Sequence, residues 1–307
     1  MATTYTSTQD GYWDLAATWG GGGVPGDTDT ANISHVVVLR DNRTIGNSPA
    51  NETTYQLTVN ATGKLVWDTS AASFTFTCKT NIRIIQGGSF VTGTVRWIPI
   101  TVVTLAPVPA DRTATLTFVV GASNYYRIYN TGTLNLRGSL YHMADVDKQR
   151  TKLSAAVATG LQTVTVTDNV DWQNNDYVWV GIGGDPSVTP TTSERVQITR
   201  VAVNQFSATF AYSHAAGDHT FNCTRNFVIQ SSADTKSFYI TNKGTSTDNP
   251  SLMICVLEWV QFIYGGYYSI GTVLYDNTRL GDSSNRCMVI ATGCLSLKNL
   301  VADLTSP

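Results

Sequence analysis

The chain runs to 307 residues, long enough for one large domain or two and for a full core without disulfides or metals. Charged residues make up only 14% of it, against about 25% in an average globular protein, and Thr, Asn, Val, Gly and Ser take their place. With a formal net charge of -2 there is no basic stripe to displace counterions, which argues against a nucleic-acid partner; no run of about 18 apolar residues occurs, so no membrane insertion is expected.

Residues 1–10 form an N-terminal lead-in with neither the basic nor the apolar stretch of a signal peptide. The opening segment follows, with Trp13, Trp19, glycines from Gly20 to Gly23, then Pro25-Gly26-Asp27 and Asp29. Two tryptophans this close can plug the open end of an apolar core. Gly20 and Gly21 permit a backbone path at positive φ, and Pro25 with Gly26 makes a tight turn. Asp27 and Asp29 can accept hydrogen bonds from nearby N–H groups ahead of the first long strand. Trp13, Trp19, Gly20, Gly21, Pro25, Gly26 and Asp27 are therefore expected to form a structural cap. The two carboxylates could begin a calcium site, but further oxygen ligands are not evident. No GxxxxGK[ST] phosphate loop is present. Neither a metal nor another cofactor is expected.

Beyond residue 33, short strand-like runs recur about every ten to fifteen residues, each closed by Gly, Asn or Asp. They include Val36–Leu39, Tyr55–Val59, Lys64–Trp67, Phe74–Thr77, Ile82–Ile85 and Thr115–Val120. Later runs are Thr133–Leu136, Thr163–Val166, Tyr177–Val180, Phe227–Ile229, Phe238–Ile240 and Met288–Ile290. Many alternate apolar with polar, the mark of a strand with one face in a core. The best helical candidate, Lys152–Ala158, is short and reads better as a turn between strands. The chain is therefore all-β, as a sandwich or a solenoid. Short numerous strands, αL-tolerant turn residues and the lack of a recurring hairpin signature favour a parallel solenoid. The five cysteines, Cys78, Cys223, Cys255, Cys287 and Cys294, include no CxxC pair, which excludes zinc-ribbon and thioredoxin motifs. Most lie in apolar runs, where a free thiol packs as a small hydrophobe.

The opening segment resembles the start of the G8 domain, a glycine-rich all-β module with two tryptophans, glycines, a Pro-Gly-Asp turn and a first strand. Further motifs follow in the family's order: Leu134–Gly138, Arg150–Leu153, the strand around Trp172 and Asp176, Thr192–Ile198, Phe210–His214 and Thr224-Arg225-Asn226. The resemblance implies a G8-type cap running into a right-handed parallel β-helix. It implies a G8-like β domain over 11–140 and parallel β-helix coils over 141–307. In animal hyaluronan-degrading members the helix continues into a histidine-bearing segment. Here no histidine follows Leu257–Tyr268, which argues against that activity.

A glycosidase needs two carboxylates facing each other across a groove. Asp145 and Asp147 are close enough in sequence to share a strand face. Asp171 and Asp176 flank Trp172 and read as corner residues. Glu258 is a lone acid in an apolar run, and alternation from Val256 would turn it toward the core-facing set unless the sheet is buried on both faces. His214 and His219 could pair on a metal, or simply form a turn. Tyrosine concentrates at Tyr125, Tyr126 and Tyr129, and again at Tyr264, Tyr267 and Tyr268. Exposed rings there can stack on sugars or pack against another subunit.

Combined with the low charge, the resemblance implies a non-enzymatic structural protein of a bacteriophage virion, a tail, tailspike, fibre or baseplate part. Its implied partners are copies of itself, other virion proteins and host cell-surface polysaccharide. The alternative is an extracellular polysaccharide-binding or polysaccharide-degrading domain of a longer chain.

Overall fold

The computed structural model describes residues 2–47, 54–97, 101–119, 125–139, 146–181, 194–232, 237–243, 254–258, 260–263, 273–276 and 289–290. The chain divides into two compact units, Met1–Ser139 with Asn226–Pro307, and Leu140–Arg225. Among the described residues there is no α-helix, only the 3-10 turns Ala16–Trp19 and Val146–Gln149.

The first unit is a parallel β-solenoid. Tyr5 pairs with Ala31, Ala31 with Leu57 and Leu57 with Ile82, so the first coils advance the chain by nearly equal steps. The first sheet stacks Thr4–Thr6, Thr30–Ile33, Tyr55–Val59, Asn81–Ile84, Tyr125–Asn130, Ser237–Lys243 and Val273–Asp276. The second stacks Gly11–Tyr12, Val36–Leu39, Lys64–Trp67, Ser89–Arg96, Thr133–Arg137, Ile254–Glu258 and Val289–Ile290. The third stacks Arg43–Ile45, Phe74–Cys78, Ala114–Phe118, Phe227–Ser231 and Val260–Ile263. Every pairing along these three paths is parallel.

Alternation decides which residues enter the core. Phe74, Phe76 and Cys78 are buried, while Thr75 and Thr77 between them face outward, half-buried. The inward positions stack in register down the coils, Phe74 on Ala114 on Phe227 on Val260. Trp67 sits among four rings of this core, Phe74, Phe76, Phe90 and Phe227, with centroids 5.2–6.1 Å away. The second sheet breaks the alternation because it is covered on both faces. Val38, Val66 and Val91 form a separate buried cluster outside it, packed by Tyr12, Val95, Trp97 and Val103. That cover comes from a hairpin: the second half of Ser89–Arg96 leaves the sheet and pairs antiparallel with Val102–Leu105.

Glycine sets how closely the coils stack at the corner between the first two sheets. A Cβ on Gly63 would lie 1.9 Å from the Ile33 carbonyl oxygen, and one on Gly132 would lie 2.4 Å from that of Ile85. No rotamer relieves a clash with backbone. Gly63→Ala is expected to destabilise the solenoid by about 3 kcal/mol, as strain at a position the neighbouring coils over-determine. Chemical denaturation of the two proteins side by side checks this, and an unchanged midpoint would show that the corner relaxes.

Ile128 pairs with Ile240, far along the chain. With Leu140–Arg225 taken out of the count, the step between them equals the step from Tyr5 to Ala31. The second unit is thus an insertion that leaves the solenoid's repeat intact. It consists of two antiparallel sheets. One holds Arg150–Lys152, His219–Asn222, Tyr177–Val180 and Glu194–Gln197. The other holds Gly160–Thr165, Gln205–Phe210 and Thr199–Ala202. Its own core includes Val164, Trp172, Val178, Val180, Ile198, Phe206 and Phe210.

This corrects the expected division into 11–140 and 141–307. Parallel coils begin before residue 11 and resume at Phe227, while the stretch expected to begin the coils pairs antiparallel. The physical reason is that a strand's own alternation is the same in both kinds of sheet. Partner choice is set by the connections, and these carry no Asn-Gly or Asp-Gly hairpin signal.

Candidate functional site

The opening segment packs into the first coils. After Gly11–Tyr12, the chain buries Trp13 and turns through Ala16–Trp19. The turn ends at Gly20 and Gly21, whose φ values of 76° and 84° lie in the left-handed region that favours glycine. Trp19 Nε1 donates to the Trp13 carbonyl at 2.8 Å, and Trp13 Nε1 donates to the Pro25 carbonyl at 3.1 Å. The two indoles meet edge to face at 5.0 Å, and Trp13 continues onto Phe76 at 5.6 Å. The Asp29 carboxylate accepts from the N–H groups of Thr3 and Gly26. Asp27 pairs instead with Lys79 at 2.9 Å, beside its bridge to Gly46. The indole N–H groups are spent within the segment, while Asp27 ties it to Lys79.

The acids weighed as catalytic groups are placed differently from one another. Asp145 lies outside the described residues. Asp147 lies in the 3-10 turn Val146–Gln149, so the strand face that Asp145 and Asp147 were expected to share is not formed at Asp147. Glu258 ends the strand Ile254–Glu258, its backbone in register with Arg137. In that strand Cys255 and Leu257 are core residues. Asp171 and Asp176 shape a corner. Asp176 is fully buried and accepts from Gln173 N and Asn222 Nδ2 at 2.9 and 2.7 Å. Asp171 takes a positive φ and pairs with Arg200 at 2.6 Å.

His214 and His219 do not converge on one point. His214 is buried with Nε2 3.0 Å from Glu194 Oε1, whereas His219 is exposed and stacks on Phe221. Burial pushes the Glu194 carboxyl up, but the N–H groups of Ala211 and Tyr212 together with His214 outweigh it and hold the carboxyl below its ordinary value. Cys78, Cys223 and Cys255 are buried, and burial pushes the Cys78 thiol well up. A thiol so placed packs rather than reacts.

The tyrosines at 125–129 are brought together with partners the sequence did not single out. Along Tyr125–Asn130 the odd-numbered side chains face outward and the even-numbered ones face the core. Tyr126 is fully buried, which removes it from the expected contact set. Tyr125 and Tyr129 stay half-buried on the outer face of the first sheet. Tyr129 lies 6.1 Å from the Tyr55 ring, and Tyr125 lies 5.7 Å from the buried ring of Tyr239. Between them runs Arg127, whose Nη2 donates to Tyr55 Oη at 2.5 Å. Its guanidinium carbon stands 5.5 Å from the centre of the Tyr55 ring and 5.2 Å from that of Tyr129. Arg83, in register with Tyr129 on the preceding strand, flanks the same Tyr55 ring at 5.8 Å. Tyr264, Tyr267 and Tyr268 lie outside the described residues. Tyr55 and Arg83 carried no signal of their own, because each nears Arg127 only when separate coils stack.

Fold and surface together define a parallel β-solenoid that carries an antiparallel insertion and an aromatic-cationic outer face. No family model matches the chain, so the G8 resemblance rests on its motifs alone, and no curated protein matches it. Among solved structures it is similar to the Gp54 tailspike of Acinetobacter baumannii bacteriophage AP22, determined in complex with A. baumannii capsular saccharide. That similarity has a TM-score of 0.28 and 13% sequence identity, covering 69% of this chain and 30% of that one. At so low a score the likeness supports no inference about this chain. No helix among the described residues is long and apolar enough to cross a membrane.

Proposed function

We propose that the chain is a non-enzymatic structural component of a bacteriophage virion, of the tail, tailspike, fibre or baseplate kind, that contacts host surface glycans. The observation that carries this reading is the row of Tyr55, Tyr125 and Tyr129 rings on the outer face of the first sheet. Half-buried rings held by a sheet lose little freedom when a pyranose ring stacks on them. Sheets paired coil by coil give those rings a firm base, since each strand's N–H and C=O groups are taken up by the strands on either side. The order of G8-like motifs supports the phage assignment and, with it, membership of a multimer with copies of itself or other virion proteins.

The test is binding of the purified chain to capsular polysaccharides, with chain length of the polysaccharide followed in the same samples. A Tyr125→Ala, Tyr129→Ala double variant is expected to weaken binding at least about tenfold while its circular dichroism melt stays close to wild type. Undiminished binding would place the contact elsewhere. Progressive shortening of the polysaccharide would overturn the non-enzymatic reading.

A further inference from the structure

The face just described carries charge as well as rings. Arg83 is exposed and makes no hydrogen bond or ion pair with another described residue. Arg127 donates through Nη2 to the Tyr55 phenol oxygen. Its Nε is shielded from solvent and has no hydrogen-bond partner among the described residues. Neither guanidinium is paired with a described carboxylate, although elsewhere the chain pairs Arg40 with Asp14, Arg43 with Asp41, Arg112 with Asp111 and Arg200 with Asp171. Two cations thus flank one tyrosine ring with no described carboxylate paired to either, on a chain whose net charge is -2.

A neutral sugar would leave that charge unanswered. A carboxylate on a stacked sugar ring would meet it, because guanidinium N–H groups match the geometry of carboxylate oxygens and such charge-assisted bonds are roughly twice as strong as neutral ones. We infer that the Tyr55–Arg83–Arg127–Tyr129 face selects acidic saccharides, with a carboxylate-bearing sugar held by Arg83 and Arg127 while its ring lies on tyrosine. The inference rests on the glycan-contact reading and names the chemical class of the ligand.

The experiment is a panel of acidic and neutral capsular polysaccharides, each acidic member set beside its own carboxyl-reduced form, titrated against the full chain. Binders are expected to come from the acidic set, and carboxyl reduction is expected to weaken them about tenfold or more. Arg83→Gln is expected to cost roughly fivefold toward the same acidic binder, to flatten its salt dependence and to leave the melting temperature unchanged. Binding to neutral members as tight as to acidic ones would overturn the inference and leave the glycan-contact reading standing. So would binding that survives carboxyl reduction or Arg83→Gln, or binding to sulfated chains alone. No binding to any member would overturn both.

Discussion

Trp13→Ala is expected to destabilise the solenoid unit by about 4 kcal/mol, the range for truncating a fully buried large aromatic. Three losses combine. The indole leaves a void against Trp19 and Phe76, the Pro25 carbonyl loses its donor, and the end of the core beside the first coil is opened. Among the described residues that coil has a stacked neighbour on one side only, so it is where unfolding should start. Hydrogen exchange should therefore quicken first at Thr4–Thr6 and Thr30–Ile33, with the insertion unaffected. Trp13→Phe keeps most of the apolar contact but not the Nε1 donor, and is expected to cost about 1–2 kcal/mol. If exchange instead rose evenly across the unit, Trp13 would be an ordinary core residue rather than a plug.

Asn226→Ala is expected to be nearly as damaging, at about 3 kcal/mol, although it removes little apolar surface. Asn226 is fully buried where the chain re-enters the solenoid after the insertion. Its Nδ2 lies within hydrogen-bond reach of the Val108 and Pro109 carbonyls and of Ser139 Oγ, at 3.1, 2.8 and 2.9 Å, while its Oδ1 accepts from Ser139 N at 2.7 Å. Ser139 is the last residue before the insertion and Asn226 the first after it. One side chain therefore holds both ends of the detour together. It also ties them to Val108 and Pro109, and the entropy of closing so long a loop is met there. Asn226→Asp keeps the acceptor for Ser139 but sets a carboxylate oxygen against two carbonyls, so it should rescue nothing at neutral pH. Urea denaturation of the three proteins checks the order, and a full rescue by aspartate would contradict the clasp.

The same residue shows where sequence reading reached its limit. Thr224-Arg225-Asn226 stood out as a motif, yet nothing in it told that Asn226 belongs to one unit and Arg225 to another. The tyrosine run at 125–129 was similarly legible as a cluster. Which rings face outward depended on the phase of one strand, and that phase buries Tyr126. The partners that make the cluster a charged face, Arg83 and Tyr55, lie on earlier strands and enter only through register. The strand that ends at Glu258 likewise takes its phase from Cys255 and Leu257, which lie in the core.

By itself the sequence determined what depends on near neighbours along the chain. Alternation of apolar and polar residues specified strands, since each strand has one face to bury. Close-set tryptophans, αL-permissive glycines and a Pro-Gly turn specified an opening segment in which both indole N–H groups and the Gly26 N–H find acceptors close by in sequence. Tertiary structure alone decided what depends on stacking: the coil step kept across the insertion, the two-sided burial of Val38, Val66 and Val91, and the convergence of Tyr55, Arg83 and Arg127. A strand's side chains alternate with a period of two whichever strand lies beside it, so its pattern tells that it pairs but not with which partner.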